Sequence, residues 1–101
     1  MTDEDKKAMG LMIEELVDLY CDLVRVNRRI GIWDMRRHDV CKAKDEDIDV
    51  SYLAKTERLG RISVEKRARI KTRIDELFAE LVAYRSRSNT LGATSEKARV
   101  L

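Results

Sequence analysis

The sequence contains no proline, four glycines and few aromatic residues, which make up 5% of the chain. Proline and glycine break helices and form tight turns, so their scarcity argues against a fold built from short strands and many turns. Charged residues account for 40% of the chain. A composition of this kind is typical of long helices.

Long apolar runs and closely spaced cysteines are also missing. No stretch approaches the roughly 20 apolar residues that span a bilayer, and the start of the chain is acidic where a secretion signal is basic and then apolar. Cys21 and Cys41 fall about 30 Å apart on one predicted helix, too far for a disulfide. We therefore expect a cytoplasmic protein with reduced thiols and no membrane span.

Residues suited to catalysis or metal binding are few. His38 is the only histidine, and with Cys41 it offers two ligands where a structural zinc site needs four. No nucleophile motif or glycine-rich phosphate loop is present. The sequence predicts no catalytic residue, no cofactor and no metal site, and hence a protein that is not an enzyme.

Apolar residues instead recur at alternating spacings of three and four in two separate stretches. Paired positions whose numbers sum to about 90 lie opposite each other when the chain folds back, as Leu16 does with Ile74. This pattern predicts two antiparallel helices in a coiled-coil-like hairpin. The first stretch is Met9, Ile13, Leu16, Tyr20, Leu23, Asn27 and Ile30, and the second is Ile70, Ile74, Leu77, Leu81 and Tyr84.

The predicted fold is all-α, with a helical hairpin over residues 1–87 and a short C-terminal tail over residues 88–101. The first helix covers about 3–42 with Thr2 or Asp3 as its cap, the turn covers 43–49, and the second helix covers about 50–86 with Asp47 or Asp49 as its cap. Gly60 either bends the second helix or divides it into two, or it makes room for Trp33 or Ile30.

We call the row of residues through which the two predicted helices face each other the seam. The seam becomes polar toward the turn, where Asn27 and Ser63 lie opposite each other. A buried asparagine in a coiled coil fixes register and partner number at some cost in stability. The alternative is that the apolar stripe drifts, so that Trp33, Leu59 and Ile62 pack together and Asn27 faces water. The sequence leaves both interpretations open.

The apolar stripes are wider than one partner helix can cover. An apolar face of about 100° or more is typical of a helix in a bundle. We therefore expect two hairpins to form a homodimeric four-helix bundle, the alternative being a monomer whose flanks the tail covers. The flanking residues are Met12, Val17, Val24, Val26, Phe78 and Val82, and the candidate core and self-association residues are Met9, Ile13, Leu16, Tyr20, Leu23, Ile70, Ile74, Leu77 and Leu81.

Basic residues concentrate in the half of the hairpin nearer the turn. Such a patch beside a tryptophan can bind a phosphate backbone or an anionic sugar. Acidic residues are interspersed, however, and the commoner explanation is a solvated face with salt bridges within each helix. The candidate anion contacts are Arg28, Arg29, Trp33, Arg36, Arg37, Arg58 and Arg61.

Two family resemblances follow from short stretches. Residues 73–87, RIDELFAELVAYRSR, resemble the opening of the short helical chorismate mutases, which implies a dimeric bundle whose arginines hold a dicarboxylate. Residues 27–40, NRRIGIWDMRRHDV, and 67–75, RARIKTRID, resemble a family of small helical-hairpin proteins to which no activity is assigned. The chain departs from the second pattern at Arg36 and Arg37, where acidic residues are expected, and at Val64, where asparagine is expected.

The sequence thus predicts a self-associating interaction or assembly module, with a protein partner such as a second copy of the chain. A hairpin that binds nucleic acid or another anion through its basic end is the first alternative. A small bundle enzyme of the chorismate mutase type is the second.

Overall fold

A computed structural model of the protein describes the backbone of residues 2–100 and the side chains of residues 2–87. Helix α1 spans Asp3–Cys41, a single 3-10 turn spans Asp45–Asp47, and helix α2 spans Val50–Val100. Residues 2–100 contain no strand. The predicted all-α helical hairpin is confirmed. No helix in the described part of the chain is apolar over enough of its length to cross a membrane.

Side-chain caps explain where both helices begin. The Thr2 hydroxyl accepts a hydrogen bond from the Asp5 N–H at 3.0 Å, and the Asp5 carboxylate accepts one from the Thr2 N–H at 3.3 Å. The Asp49 carboxylate accepts a hydrogen bond from the Tyr52 N–H at 2.9 Å. Each contact satisfies an N–H that has no partner inside its helix. Thr2 and Asp49 are therefore the caps, out of the two candidates predicted for each helix.

Helix α2 extends to Val100, well beyond the end predicted at residue 86. The apolar spacing is lost after that position, which removes a packing face. The segment contains no proline, however, so nothing in it blocks the backbone hydrogen bonds of a helix. The predicted helix end is therefore wrong. The alternative in which this segment covers the apolar flanks lies outside the described side chains.

Gly60 does not interrupt α2, which is helical on both sides of it. A β-carbon at Gly60 would lie 3.8 Å from the Trp33 β-carbon, an ordinary van der Waals separation. The two helices therefore approach each other at this position. The predicted division of the second helix at Gly60 is wrong, and Gly60 lies next to Trp33, one of the two residues it was predicted to face.

The chain forms two compact units, each containing part of both helices. The terminal unit comprises Met1–Asp18 and Arg73–Leu101, and the turn-proximal unit comprises Leu19–Thr72. In the terminal unit the buried residues are Leu16, Ile74 and Leu77, and in the turn-proximal unit they are Val26, Thr56, Ser63 and Ile70.

The α1 positions that are buried or half-buried are shifted by one residue from the predicted ones at three places. We call each such set of helix positions a phase. Ile13 is 51% exposed and Tyr20 is 46% exposed, and Asn27 is exposed as well. The residue preceding each of these is buried or half-buried instead, namely Met12, Leu19 and Val26. Both phases share Leu16, Leu23 and Ile30, but only the observed phase continues to the half-buried Trp33. The assignment of Ile13, Tyr20 and Asn27 to the seam within the hairpin is therefore wrong.

The predicted phase of α2 is correct. Ile70, Ile74 and Leu77 are buried, and Leu81 and Tyr84 are half-buried. Met9 and Leu23 of α1 are also half-buried. Side chains at alternating spacings of three and four lie on one face of a helix, and burying each large one contributes roughly 1.5–3 kcal/mol.

Candidate functional site

The terminal unit has an apolar flank that no part of the described chain covers. It consists of Ile13 and Val17 on α1 and Phe78 and Val82 on α2. Val17 is 57% exposed and Phe78 is 47% exposed. Isolated exposed apolar residues are common on proteins, but a contiguous group of them indicates an interaction surface.

A network of charged residues occupies the opposite flank of the terminal unit. The Arg73 guanidinium donates two hydrogen bonds to the Glu15 carboxylate across the helices, at 2.8 and 3.1 Å. It also contacts Glu76 at 3.2 Å and Glu80 at 3.8 Å. The sequence analysis did not single out this network.

The positions of Glu15 and Arg73 in the sequence show that the charged network and the apolar flank lie on opposite sides of the terminal unit. Each of these residues immediately precedes a seam residue, Leu16 and Ile74 respectively. Residues that immediately follow a seam residue lie about 200° further around the helix and so face the other side. Val17 and Phe78 are such residues. The terminal unit therefore has one charged flank and one apolar flank.

The ion pair makes a pH-dependent contribution to stability. The Arg73 hydrogen bond lowers the pKa of Glu15 below its usual value of 4.5, and its Coulomb attraction acts in the same direction against desolvation. The hydrogen bond from Arg73 to Glu15 likewise raises the pKa of Arg73. Because the pKa of Glu15 is lower in the folded state, its contribution is present above the unfolded-state pKa. It is lost as the pH falls through the folded-state pKa.

We expect Glu15→Gln to lower the urea midpoint of unfolding at pH 7 and to have no such effect at an acidic pH below the folded-state pKa of Glu15. The neutral glutamine cannot form the ion pair at either pH, whereas the wild-type protein loses it on protonation. Urea titrations at both pH values measure the difference. Glu14→Gln is the matched control, because Glu14 is exposed and forms no ion pair in the described structure. Equal pH profiles for the two variants would contradict the prediction.

In the turn-proximal unit, the seam contains two buried hydroxyl groups that bond to their own helix. The Thr56 hydroxyl donates a hydrogen bond to the Leu53 carbonyl at 2.7 Å, and the Ser63 hydroxyl donates one to the Leu59 carbonyl at 2.9 Å. Ser63 therefore lies in the seam as predicted. Asn27 is exposed, so the predicted polar pair across the helices is wrong and the interpretation of a drifted stripe is correct for Asn27.

The alternative prediction, in which Trp33, Leu59 and Ile62 pack together, is correct for the first two residues and wrong for the third. Trp33 and Leu59 are half-buried, as expected of residues that pack, whereas Ile62 is 50% exposed. Ile62 is therefore not part of the seam.

The structure distributes the predicted anion contacts over several surfaces. Arg36 lies over the Trp33 ring, with its guanidinium carbon 5.0 Å from the ring centroid. Arg28 and Arg29 are exposed on α1. Arg58 lines a shallow groove with Lys55 and Asp49 at the start of α2. The remaining two, Arg37 and Arg61, line a different groove.

The groove that contains Arg37 and Arg61 lies between the two helices of the turn-proximal unit and has a volume of about 450 Å³. It lies beside Gly60, where α2 carries no side chain. A third arginine, Arg67, and two acidic residues, Asp34 and Glu57, also line it. We call these residues the arginine groove. Arg67 is not among the anion contacts predicted from the sequence, although its place in the α2 spacing puts it at a seam position.

No protein-family model, curated protein or solved structure matches this chain. The resemblances to chorismate mutases and to the helical-hairpin family therefore stay predictions.

Many of the remaining charged residues pair within their own helix. Arg25 contacts Asp22 at 3.1 Å, Arg37 contacts Asp34 at 2.9 Å, and Lys42 contacts Asp39 at 3.8 Å. All three pairs are well exposed and join residues three positions apart. Pairs of this kind add a few tenths of a kcal/mol each to helix stability. The predicted salt-bridged, solvated face is present on this part of α1.

Cys21 and Cys41 are both exposed and free. Among the described residues, no group of three or more histidine, cysteine, aspartate or glutamate side chains is arranged to hold a metal ion. The surfaces that can be assigned from geometry are therefore the apolar flank and the arginine groove.

Proposed function

We propose that the protein is a self-associating assembly module, in which the apolar flank of the terminal unit binds the same flank of a second copy. The supporting observation is the separation of the two flanks. Ile13, Val17, Phe78 and Val82 lie on one side, and the Glu15–Arg73 network lies on the other. An interface made by the same patch on both copies requires a surface that complements itself, and an apolar patch meets that requirement.

Charge does not oppose such an association. The chain has a formal net charge of +2 at pH 7, so two copies repel each other only weakly. Docking of two helical hairpins through apolar flanks produces the arrangement of a four-helix bundle. Each hairpin has only two helices, which cover one side of each other, so the second copy supplies the apolar contacts that a single chain lacks.

The turn-proximal unit has exposed apolar residues of its own, which extend the proposal. Tyr20 and Val24 on α1 are each more than 40% exposed. Tyr20 and Val24 each directly follow a seam residue, Leu19 and Leu23, as Ile13 follows Met12 in the terminal unit. In this proposal Ile13 and Tyr20 remain self-association residues, although they do not belong to the seam of the single hairpin.

The test uses residues that are exposed in the single chain, so that loss of association does not require loss of folding. We expect the wild-type protein to show a molar mass twice the 11.8 kDa of the chain in sedimentation equilibrium. Val17→Asp and Phe78→Asp each introduce a charge into the apolar flank, and we expect each to weaken association by at least about tenfold. Far-UV circular dichroism checks that the helices are retained.

Leu11→Asp is the matched control for Val17→Asp. Leu11 and Val17 lie on α1 in the terminal unit and are 59% and 57% exposed, but Leu11 lies outside the apolar flank. The control should therefore remain a dimer. A monomeric wild-type protein, or equal effects of the Leu11 and Val17 substitutions on the mass, would refute the proposal.

A further inference from the structure

The turn-proximal unit contains cationic groups whose environment is not explained by self-association. Arg67 occupies a seam position of α2, four residues after Ser63 and three before Ile70, and is half-buried. Arg61 is exposed, and both guanidinium groups line the arginine groove. Neither forms an ion pair with a described residue. Partial burial removes water from a charge, so a cation at such a position is stabilised by an anionic partner.

The nearby carboxylates do not supply that partner. Asp34 is engaged with Arg37 at 2.9 Å. Glu57 lines the groove without forming an ion pair in the described structure. The three arginines and two acidic residues leave the groove with one excess positive charge, and two of the three guanidinium groups are unengaged.

We propose that the arginine groove binds the phosphate group of a small ligand. Guanidinium groups present paired N–H donors that match the oxygen atoms of phosphate. Arg61 and Arg67 come from α2 and Arg37 comes from α1, so arginine residues line the groove from both helices. A volume of about 450 Å³ falls within the range of small-molecule sites.

The groove suits one or two phosphates better than a nucleic-acid backbone. A backbone requires a row of cations along an extended surface. The other predicted anion contacts do not extend the groove, because Arg36 covers Trp33 and Arg58 lines a separate groove. A compact ligand such as a diphosphate matches the two arginines of the groove that form no ion pair, Arg61 and Arg67. Nucleic acid is therefore the competing outcome of the test.

The experiment measures binding of inorganic pyrophosphate to the full-length protein by isothermal titration calorimetry, with duplex DNA as a second probe. We expect saturable binding of pyrophosphate at one site per chain. Arg67→Gln and Arg61→Gln should each raise the dissociation constant about tenfold, because each removes a charge-assisted pair of hydrogen bonds. Glu57→Gln should lower the dissociation constant, because it removes a carboxylate that repels the ligand.

Arg69→Gln is the matched control, since it makes the same charge change on α2 in the same unit, at an exposed residue that does not line the groove. It should change the dissociation constant less than twofold. If Arg67→Gln is too unstable to measure, Glu57→Gln still tests the proposal, because it is expected to change the dissociation constant in the opposite direction. Absence of pyrophosphate binding, equal weakening by the Arg67 and Arg69 substitutions, or binding of DNA alone would each overturn the proposal.

Discussion

Leu77→Ala should lower the free energy of unfolding by about 3 kcal/mol. Leu77 is fully buried, at 0% exposure, in the seam of the terminal unit. Shortening its side chain removes apolar contact and leaves a cavity, which the neighbouring side chains of the two helices fill only partly. Urea unfolding followed by circular dichroism, at one fixed protein concentration, measures the change.

Leu11→Ala is the control for this prediction because it makes the same chemical change at a residue that is 59% exposed. It should change stability by no more than about 0.5 kcal/mol. A comparable loss for both variants would mean that Leu77 is not a core residue of the hairpin. A small loss at both positions would have the same meaning.

Val26→Asn should lower the free energy of unfolding by about 2–3 kcal/mol. Val26 is 2% exposed, in the seam of the turn-proximal unit. The hydroxyl groups of Thr56 and Ser63 in the same unit already donate to carbonyls of their own helix. An amide at position 26 therefore loses water and finds no ready donor group on these side chains. Thermal and urea unfolding at fixed concentration measure the loss.

The adjacent substitution Asn27→Ala distinguishes the two phases of the α1 seam. Asn27 is exposed, so its replacement by a better helix former should leave stability unchanged or raise it by a few tenths of a kcal/mol. If Asn27 were instead the buried register residue of the predicted seam, its loss would change register or oligomeric state. A large effect at Asn27 and a small one at Val26 would reverse the observed assignment.

The hairpin and the α2 seam were predictable from the sequence because of how their residues are spaced. Ile70 and Ile74 each stand between two charged residues, so only one phase of this part of α2 is compatible with burial. The start of α2 was predictable because Asp49 directly precedes it and can cap it. Both features depend on residues that are close together in the sequence.

The α1 phase was not predictable from its own sequence because two apolar stripes run side by side. Met12 and Ile13 are both apolar, as are Leu19 and Tyr20, so either member of each pair can face α2. The choice depends on the partner helix, and in the observed phase Trp33 lies next to Gly60 of α2. The alternative choice would bury Asn27 in place of Val26.

The functional surfaces were only partly predictable for a similar reason. The concentration of arginines near the turn is visible in the sequence, but the grouping of Arg37, Arg61 and Arg67 around one groove depends on both helices. The Glu15–Arg73 pair joins residues that are 58 positions apart. The numbers of these two residues sum to about 90, so the predicted pairing places them at the same level along the hairpin. The pairing does not specify on which side of the hairpin they lie.

The Glu15–Arg73 network also bears on how large an assembly of this protein can become. A hairpin that was apolar on both flanks would offer every added copy a fresh binding surface, and such contacts build open-ended filaments. Here one flank carries hydrated charges, whose burial against another copy would be unfavourable. In the proposed dimer, pairing through the other flank buries the apolar surface of both terminal units, so we expect no further copies to add through these units.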